Sequence, residues 1–390
     1  MSRLRVGHVV HQLGVTGSER GIEALVRHSS QDIEHFVFCQ LRSSDVPMGE
    51  LESIARVCYL DKPKGNSIRH FRRMRRALRE ARLDVVNTQN WGGMDAIFAS
   101  RLAGIPGIVH GEIGWQSDDP YGLNSGRNRV RRWLARWVHE YTCVSEHLAH
   151  WLRDTVRVPR RVTSIVNGLD CAKYAPGQEG AAIRADLGIS RDAFVVGSVG
   201  RLCSIKDYPT LIQAIARVEL GDRPVHLLMV GTGEDDASLR AAANGRTSFL
   251  GLRLDVPEVL RAMDVFAMPS LNEGTSFAIL EAMATALPIV ASRAGGNPEL
   301  VLDGVTGTLF PVSDVGALAA ALTRYGAAPR RAREQGAAGR ARTLERFSFQ
   351  SMVDAYEKLW RRVASETTPS RKQAPQPRGG SVPAPGATMD

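Results

Sequence analysis

Short runs of β-branched and apolar residues recur along the chain, each followed by a stretch whose apolar positions fall at helical spacing. LRVGHVVHQ, EHFVFCQL, DVVNTQ, GIVHGE, YTCVS and RVTSIVNG read as strands of a first half. From near residue 180 the rhythm restarts with AFVVGSVGRL, VHLLMVG, TSFLG, DVFAMPS, LPIVAS and TGTLF. Apolar strands alternating with helices are what a parallel sheet covered on both faces requires. The pattern therefore predicts two Rossmann-like α/β domains, at residues 1–172 and 180–346, facing across a cleft. The stretch NGLDCAKYAPGQEG (167–180) joins them, its glycines and proline marking a linker. A further helix is expected over 347–365, within SFQSMVDAYEKLWRRVA, and crosses back to the first domain. The tail at 366–390, rich in Pro, Gly, Ser and Gln, reads as disordered. Ligands of open parallel sheets bind beyond the strands' carboxyl ends, so the cleft is the expected site.

Composition narrows the class. At 390 residues and 43% hydrophobic content the chain can bury two large cores. No apolar run reaches the length of a membrane span, and MSRLRVGHVV is a charged strand pattern rather than a secretory leader. A cytoplasmic protein is expected. The five cysteines are odd in number and scattered without C-x-x-C spacing, which argues for core thiols over disulfides or zinc. The net charge is +9, and nearly all of it falls in residues 1–175. It concentrates in RHFRRMRRALREARLD (69–84) and RNRVRRWLARWVHEY (127–141), where arginines alternate with apolar positions at helical spacing. Such helices suit peripheral contact with an anionic membrane surface or an anionic lipid-linked acceptor. A solvated arginine face over a core stripe is the competing reading. No nucleic-acid-binding module accompanies the charge, so nucleic acid is not an expected partner.

The segment SLNEGTSFAILEAMATALPIVASRAGG carries the most chemistry. Glu273 sits in a turn and Glu281 in the amphipathic helix expected to follow. Gly274, Thr275, Ser276 and Phe277 lead into that helix, where Thr275 or Ser276 can cap it and leave backbone N–H groups for phosphate oxygens. A glycosidase needs its two carboxylates about 5 to 9.5 Å apart across one bond. Eight helical residues rise about 12 Å, so two tasks on one extended ligand, a nucleotide-diphosphate sugar, fit better. Arg201 closes the strand AFVVGSVGRL, and Lys206 precedes the next helix; two cations at a strand end can neutralise a diphosphate.

Weaker signals surround these. Gly14 and Gly17, between the first strand and its helix, allow backbone N–H groups close to a phosphate or sugar, though a tight turn needs them as well. His110 is read as the end of GIVHGE, aimed into the cleft, against the alternative of a satisfied buried histidine. The polar segment WQSDDPYGLNSG (115–126) reads as a mobile acceptor loop or as plain surface. Gly231 and Gly233 suit the edges of the nucleobase and ribose pockets. Gly295 and Gly296 suit close backbone approach to the diphosphate or a simple turn.

Taken together, GRLCSIK, MPSLNEGTSFAILEAMA, ASRAGGNPELV, DGVTGTLF, VSEHL and NGLD give a chain that resembles the retaining family-four glycosyltransferases of GT-B fold across residues 4–364. NTQNWGGMDA, VHGEIGWQSDD and HVVHQLGVTGSER are similar to sugar transferases of exopolysaccharide and PEP-CTERM systems. The resemblance implies a nucleotide-sugar donor held mostly by the second domain and a glycan or lipid-linked acceptor recognised by the first. By it, Glu281 binds the ribose hydroxyls and Glu273 the donor sugar, Arg201 and Lys206 neutralise the diphosphate, Gly17 lines the phosphate and sugar end, and His110 lies near the sugar. Thr16-Gly17 replaces the family's usual Gly-Gly, and Ile113 stands where relatives of the subgroup show a second histidine. No Asp-x-Asp is placed for a diphosphate metal, so metal-independent transfer without a cofactor is expected. A nucleotide-sugar epimerase, a phosphorylase or a non-catalytic sugar-nucleotide-binding subunit are the competing functions.

Overall fold

A computed structural model describes residues 3–12, 17–42, 49–63, 65, 67–115, 118–177 and 180–367. The expected tail lies outside these, save for Glu366 and Thr367, which extend the last helix. Two parallel sheets organise the chain. The first is built from β1 (Leu4–Gln12), β2 (Ile33–Leu41), β3 (Arg56–Tyr59), β4 (Val85–Gln89), β5 (Gly107–Glu112), β6 (Glu140–Cys143) and β7 (Arg161–Ser164), in the order β3-β2-β1-β4-β5-β6-β7. The second holds β8 (Phe194–Val199), β9 (Val225–Val230), β10 (Thr247–Phe249), β11 (Val265–Met268), β12 (Ile289–Ser292) and β13 (Gly307–Phe310), ordered β10-β9-β8-β11-β12-β13. Strand order therefore reverses between β1 and β4 in one sheet and between β8 and β11 in the other. Such reversals open a crevice at the carboxyl edge, where the two flanking loops diverge to opposite faces.

The apolar runs become these strands because both faces are covered: Val195, Val196, Phe266, Ala267, Ile289 and Val290 are fully buried. One strand, β3, is not among the twelve read from the pattern; it is an edge strand of four residues with Arg56 exposed. The helix Phe277–Ala284 also departs from expectation, being buried from Ile279 through Ala284 rather than amphipathic. The helix Pro329–Arg346 covers the side that would otherwise meet water, and Gly336 permits this by packing where a Cβ would lie 2.0 Å from the Ala286 carbonyl oxygen.

The chain crosses between the halves twice, side by side. Leu169 of the linker donates to the Phe347 carbonyl and accepts from the Phe349 N–H at 2.8 and 3.1 Å. The helix Phe349–Thr367 then packs Met352, Val353, Tyr356, Leu359, Trp360 and Val363 into the core of β1, β2 and the helix Gly17–His28. Trp360 meets His8 and His35 edge-on, with the two imidazoles bonded at 3.0 Å. All five cysteines are free thiols, three of them buried.

Away from this crossing, the halves touch directly at their facing edges. Asn272 donates to the Pro120 carbonyl at 2.9 Å, Thr275 donates to the Val144 carbonyl, and Glu299 accepts from the N–H groups of Glu146 and His147 at 2.8 and 2.9 Å. The segment 118–126 is accordingly tied down rather than loose. Asp118 pairs with Arg127, Asp119 accepts from Leu123 N–H, and the Trp151 indole donates to the Gly122 carbonyl.

Candidate functional site

The switch point of the second sheet gathers Lys206 and Glu273. After β8 the chain forms a short 3-10 turn, Ser204–Lys206, and Asp207 adopts a left-handed φ of 48° before the helix Tyr208–Ala216. Leu271 N–H donates to the Ile205 carbonyl at 2.8 Å, so this turn is stitched to the loop after β11. Lys206 Nζ then lies 2.5 Å from Glu273 Oε1, which also accepts from Ser270 Oγ at 2.6 Å. Ser270 is fully buried. The loop after β12 presses on the same segment: a Cβ on Gly295, whose φ is 52°, would fall 2.1 Å from the Glu273 carbonyl oxygen, and one on Gly296 would fall 1.8 Å from that of Gly274. These glycines let the loop pack closely on the Glu273 segment.

The remaining residues of the donor set have distinct places. Ser276 is the N-cap of the helix Phe277–Ala284, accepting from Ile279 N–H at 3.4 Å, while Thr275 reaches the first domain instead of capping. Gly274 is buried against the backbone of Ile113 and Gly114. Gly233 brings its turn onto the segment after β8, where a Cβ would meet the Leu202 carbonyl oxygen at 2.1 Å. Arg201 stands exposed two residues beyond β8. Gly17 opens the helix Gly17–His28; Gly14 and Thr16 lie outside the described residues.

Glu281 has a partner from the linker. It is buried, and its Oε1 accepts from the Tyr174 hydroxyl at 2.7 Å. Together with Glu23, Arg27, Lys173, Tyr174 and Phe277 it lines a cavity of about 220 Å³ where the linker, the first domain and the second meet. The sequence offered no signal for Tyr174, which lies 107 positions from its acceptor.

His110 requires a correction. It is the fourth of six residues in β5, not its end, and it is fully buried. Its Nδ1 bonds Thr88 Oγ1 at 2.7 Å, its Nε2 is 3.6 Å from Glu112, and its ring meets Tyr141 edge-on, all within its own domain. Glu112 in turn takes Arg131 Nε at 2.6 Å, with both side chains at most 4% exposed. Burial opposes the charged form of Glu112, yet the guanidinium and the imidazole hold its carboxyl below the usual range. The structure thus contains a buried histidine bonded through Nδ1, while its Nε2 makes no hydrogen bond. Among the described residues no group of three or more His, Cys, Asp or Glu side chains is placed to hold a metal ion.

Two parallel doubly wound sheets in one chain have the GT-B architecture, and comparison with known proteins agrees. Residues 15–173 match the family described as Glycosyltransferase Family 4, and residues 193–327 match Glycosyl transferases group 1. The alpha-maltose-1-phosphate synthase of Mycolicibacterium smegmatis is 30% identical over 72% of this chain and 79% of its own length. A UDP-Gal:alpha-D-GlcNAc-diphosphoundecaprenol alpha-1,3-galactosyltransferase of Escherichia coli is 31% identical over 63% and 67%. The crystal structure of Anabaena Alr3699/HepE with UDP and glucose shares the fold with a TM-score of 0.79 at 22% identity, covering 92% of this chain and all of that one. The chain belongs to the family-4, group 1 glycosyltransferases, and it is an enzyme of that type.

Proposed function

We propose that this glycosyltransferase moves a hexosyl unit from a nucleotide-diphosphate sugar to a hydroxyl of a glycan or lipid-linked saccharide, with retained anomeric configuration and without a metal. The observation that supports it is the Lys206–Glu273 pair at the β8/β11 switch point, on a loop that touches the opposing domain through Asn272 and Thr275. The donor's diphosphate would take Lys206 and Arg201, and the sugar hydroxyls would take Glu273. The bond from the anomeric carbon to the departing phosphate breaks as the acceptor oxygen bonds to the same face, and the acceptor proton passes to the departing phosphate oxygen. Lys206 and Arg201 stabilise the negative charge that develops there. Relatives point the same way: the name of the E. coli relative specifies a UDP-Gal donor and an alpha-D-GlcNAc-diphosphoundecaprenol acceptor, and the HepE crystals hold UDP and glucose.

A lipid-linked acceptor brings the protein to a bilayer, and one face suits that. Phe71, Phe98, Trp137 and Trp133 form a chain of ring contacts at 5.6, 5.2 and 4.8 Å across the helices Ile68–Glu80, Met94–Ala103 and Ser125–Leu134 and the 3-10 turn Ala135–Trp137. Trp133 is 46% exposed, and Arg72, Arg76, Arg79, Arg101 and Arg129 are exposed on the same helices. Exopolysaccharide or other cell-surface polysaccharide synthesis is the setting this serves. Among the described residues no helix is long and apolar enough to cross a membrane, so contact would be peripheral.

Three measurements test the proposal. Thermal unfolding with UDP, GDP, ADP and their sugars should show one nucleotide raising the midpoint, and Glu273→Ala should then abolish most transfer from that donor. Near-normal transfer by Glu273→Ala would remove the assigned role. Binding to vesicles containing anionic lipid should fall with Arg72 and Arg76 replaced by Glu, and co-sedimentation unaffected by that change would remove the membrane face.

A further inference from the structure

We infer that Tyr174 is a positioning residue that makes Glu281 select a ribonucleotide carrier over its deoxy counterpart. This rests on the reading of Glu281 as the ribose ligand. Tyr174 is 2% exposed and comes from the interdomain linker, while Glu281 is 5% exposed and comes from the helix Phe277–Ala284. The hydroxyl-to-carboxylate bond of 2.7 Å joins them across the junction. A carboxylate has about four lone-pair sites, so the tyrosine bond to Oε1 restrains the group without by itself exhausting its acceptor capacity. A ribose 2′,3′-diol offers two neighbouring O–H donors and suits such a restrained carboxylate.

The surroundings give the arrangement its use. The cavity of about 220 Å³ opens beside both side chains and is walled by Phe277, with Glu23, Arg27 and Lys173 on its rim. Tyr174 restrains the carboxylate before the ligand arrives, which lowers the ordering cost of binding. Because Tyr174 belongs to the segment that links the domains, recognition of the ribose is tied to the junction itself.

The test uses the intact protein and whichever of UDP, GDP or ADP raises its unfolding midpoint most, together with the 2′-deoxy and 2′,3′-dideoxy forms of that diphosphate. Wild type should bind the ribonucleotide about tenfold or more tightly than the dideoxy form, the scale of a hydrogen bond to a charged group. Tyr174→Phe keeps the ring and should leave dideoxy binding unchanged while weakening ribonucleotide binding several-fold, so that the discrimination collapses. Equal weakening of both ligands means that the hydroxyl only supports the fold, and full discrimination in Tyr174→Phe means that Glu281 needs no positioning; either result overturns the inference. Glu281→Gln separates this from its premise. If Glu281→Gln keeps full discrimination, the ribose role of Glu281 is wrong; if it loses discrimination while Tyr174→Phe keeps it, only the role of Tyr174 falls.

Discussion

Each half of the molecule places a glutamate against a cation at the carboxyl edge of a parallel sheet, and the two pairs differ in their surroundings. Glu112 ends β5 one strand away from its sheet's reversal, meets Arg131 at 2.6 Å, and has His110 alongside, with both side chains of the pair sealed at 4% exposure or less. Glu273 follows β11 at the reversal itself and meets Lys206 at 2.5 Å, with side chains 10% and 19% exposed. Arg131 is further enclosed by Trp91 and Trp151 against its guanidinium. A sealed pair can only stabilise or destabilise the fold. One that retains exposure at a switch point can exchange its partner for a ligand, and position in the strand order decides which is which.

The largest expected effect comes from breaking the sealed pair. Arg131→Met leaves the Glu112 charge buried without its cation, which costs about 3 to 5 kcal/mol and should lower the unfolding midpoint by many degrees. Nucleotide binding by the protein that remains folded should be unchanged. Breaking the exposed pair should do the reverse. Lys206→Ala is expected to cut turnover roughly 10²- to 10³-fold, as loss of a group opposing developing charge does, with a small change in unfolding midpoint measured without ligand. A stable Arg131→Met, or a Lys206→Ala that unfolds but transfers normally when folded, would reverse the assignment of the two sites.

What could be read before the structure follows from this distinction. Twelve strands were legible because burial on both faces writes itself as an apolar run; β3 was not, because RVCY at a sheet edge is short and half-exposed. Lys206 and Glu273 were legible because charged residues just past an apolar strand have few uses other than surface or site. His110 was misplaced for the converse reason. Inside GIVHGE nothing tells that the strand runs on to Glu112 or that the imidazole bonds Thr88, which lies 22 positions away on the neighbouring strand. Tyr174 and Glu299 act through contacts across more than a hundred positions, which no local period records.

A third buried cluster extends the sealed class to neutral groups. Burial, with His35 second, drives the His8 imidazole well below its usual range, and burial brings His35 down to about 4 against the opposing pull of Glu357. The unfolded chain binds these protons near pH 6.5 and the folded one does not, so stability is complete above that value and is lost as pH falls toward 4. His35 alone accounts for about 3 kcal/mol across that window. Denaturant midpoints at pH 7.5 and 5 should therefore diverge in wild type and diverge by roughly half as much in His35→Gln, where buried His8 still resists protonation. Equal pH sensitivity in both would show that the acid response arises elsewhere.

The smallest effect concerns the contact that holds the two halves over the exposed pair. Glu299 accepts from two adjacent N–H groups at the start of helix Glu146–His150, whose N-cap is Ser145, and a Cβ on Gly296 would meet Ser145 Cβ at 3.1 Å. A carboxylate there satisfies donors that the helix leaves unpaired and meets its positive dipole end, which contributes about 1 kcal/mol. Glu299→Ala should therefore raise the open population about fivefold. In solution scattering that appears as a larger radius of gyration in the unliganded protein, reversed by a nucleotide that bridges the domains. Lys206 and Glu273 would keep their own bond in the opened form, because the Ile205–Leu271 stitch lies wholly within the second half. If Glu299→Ala leaves the scattering profile unchanged but lowers the unfolding midpoint, the carboxylate belongs with the sealed, structural groups and the facing edges are held by Thr275 and Asn272 alone.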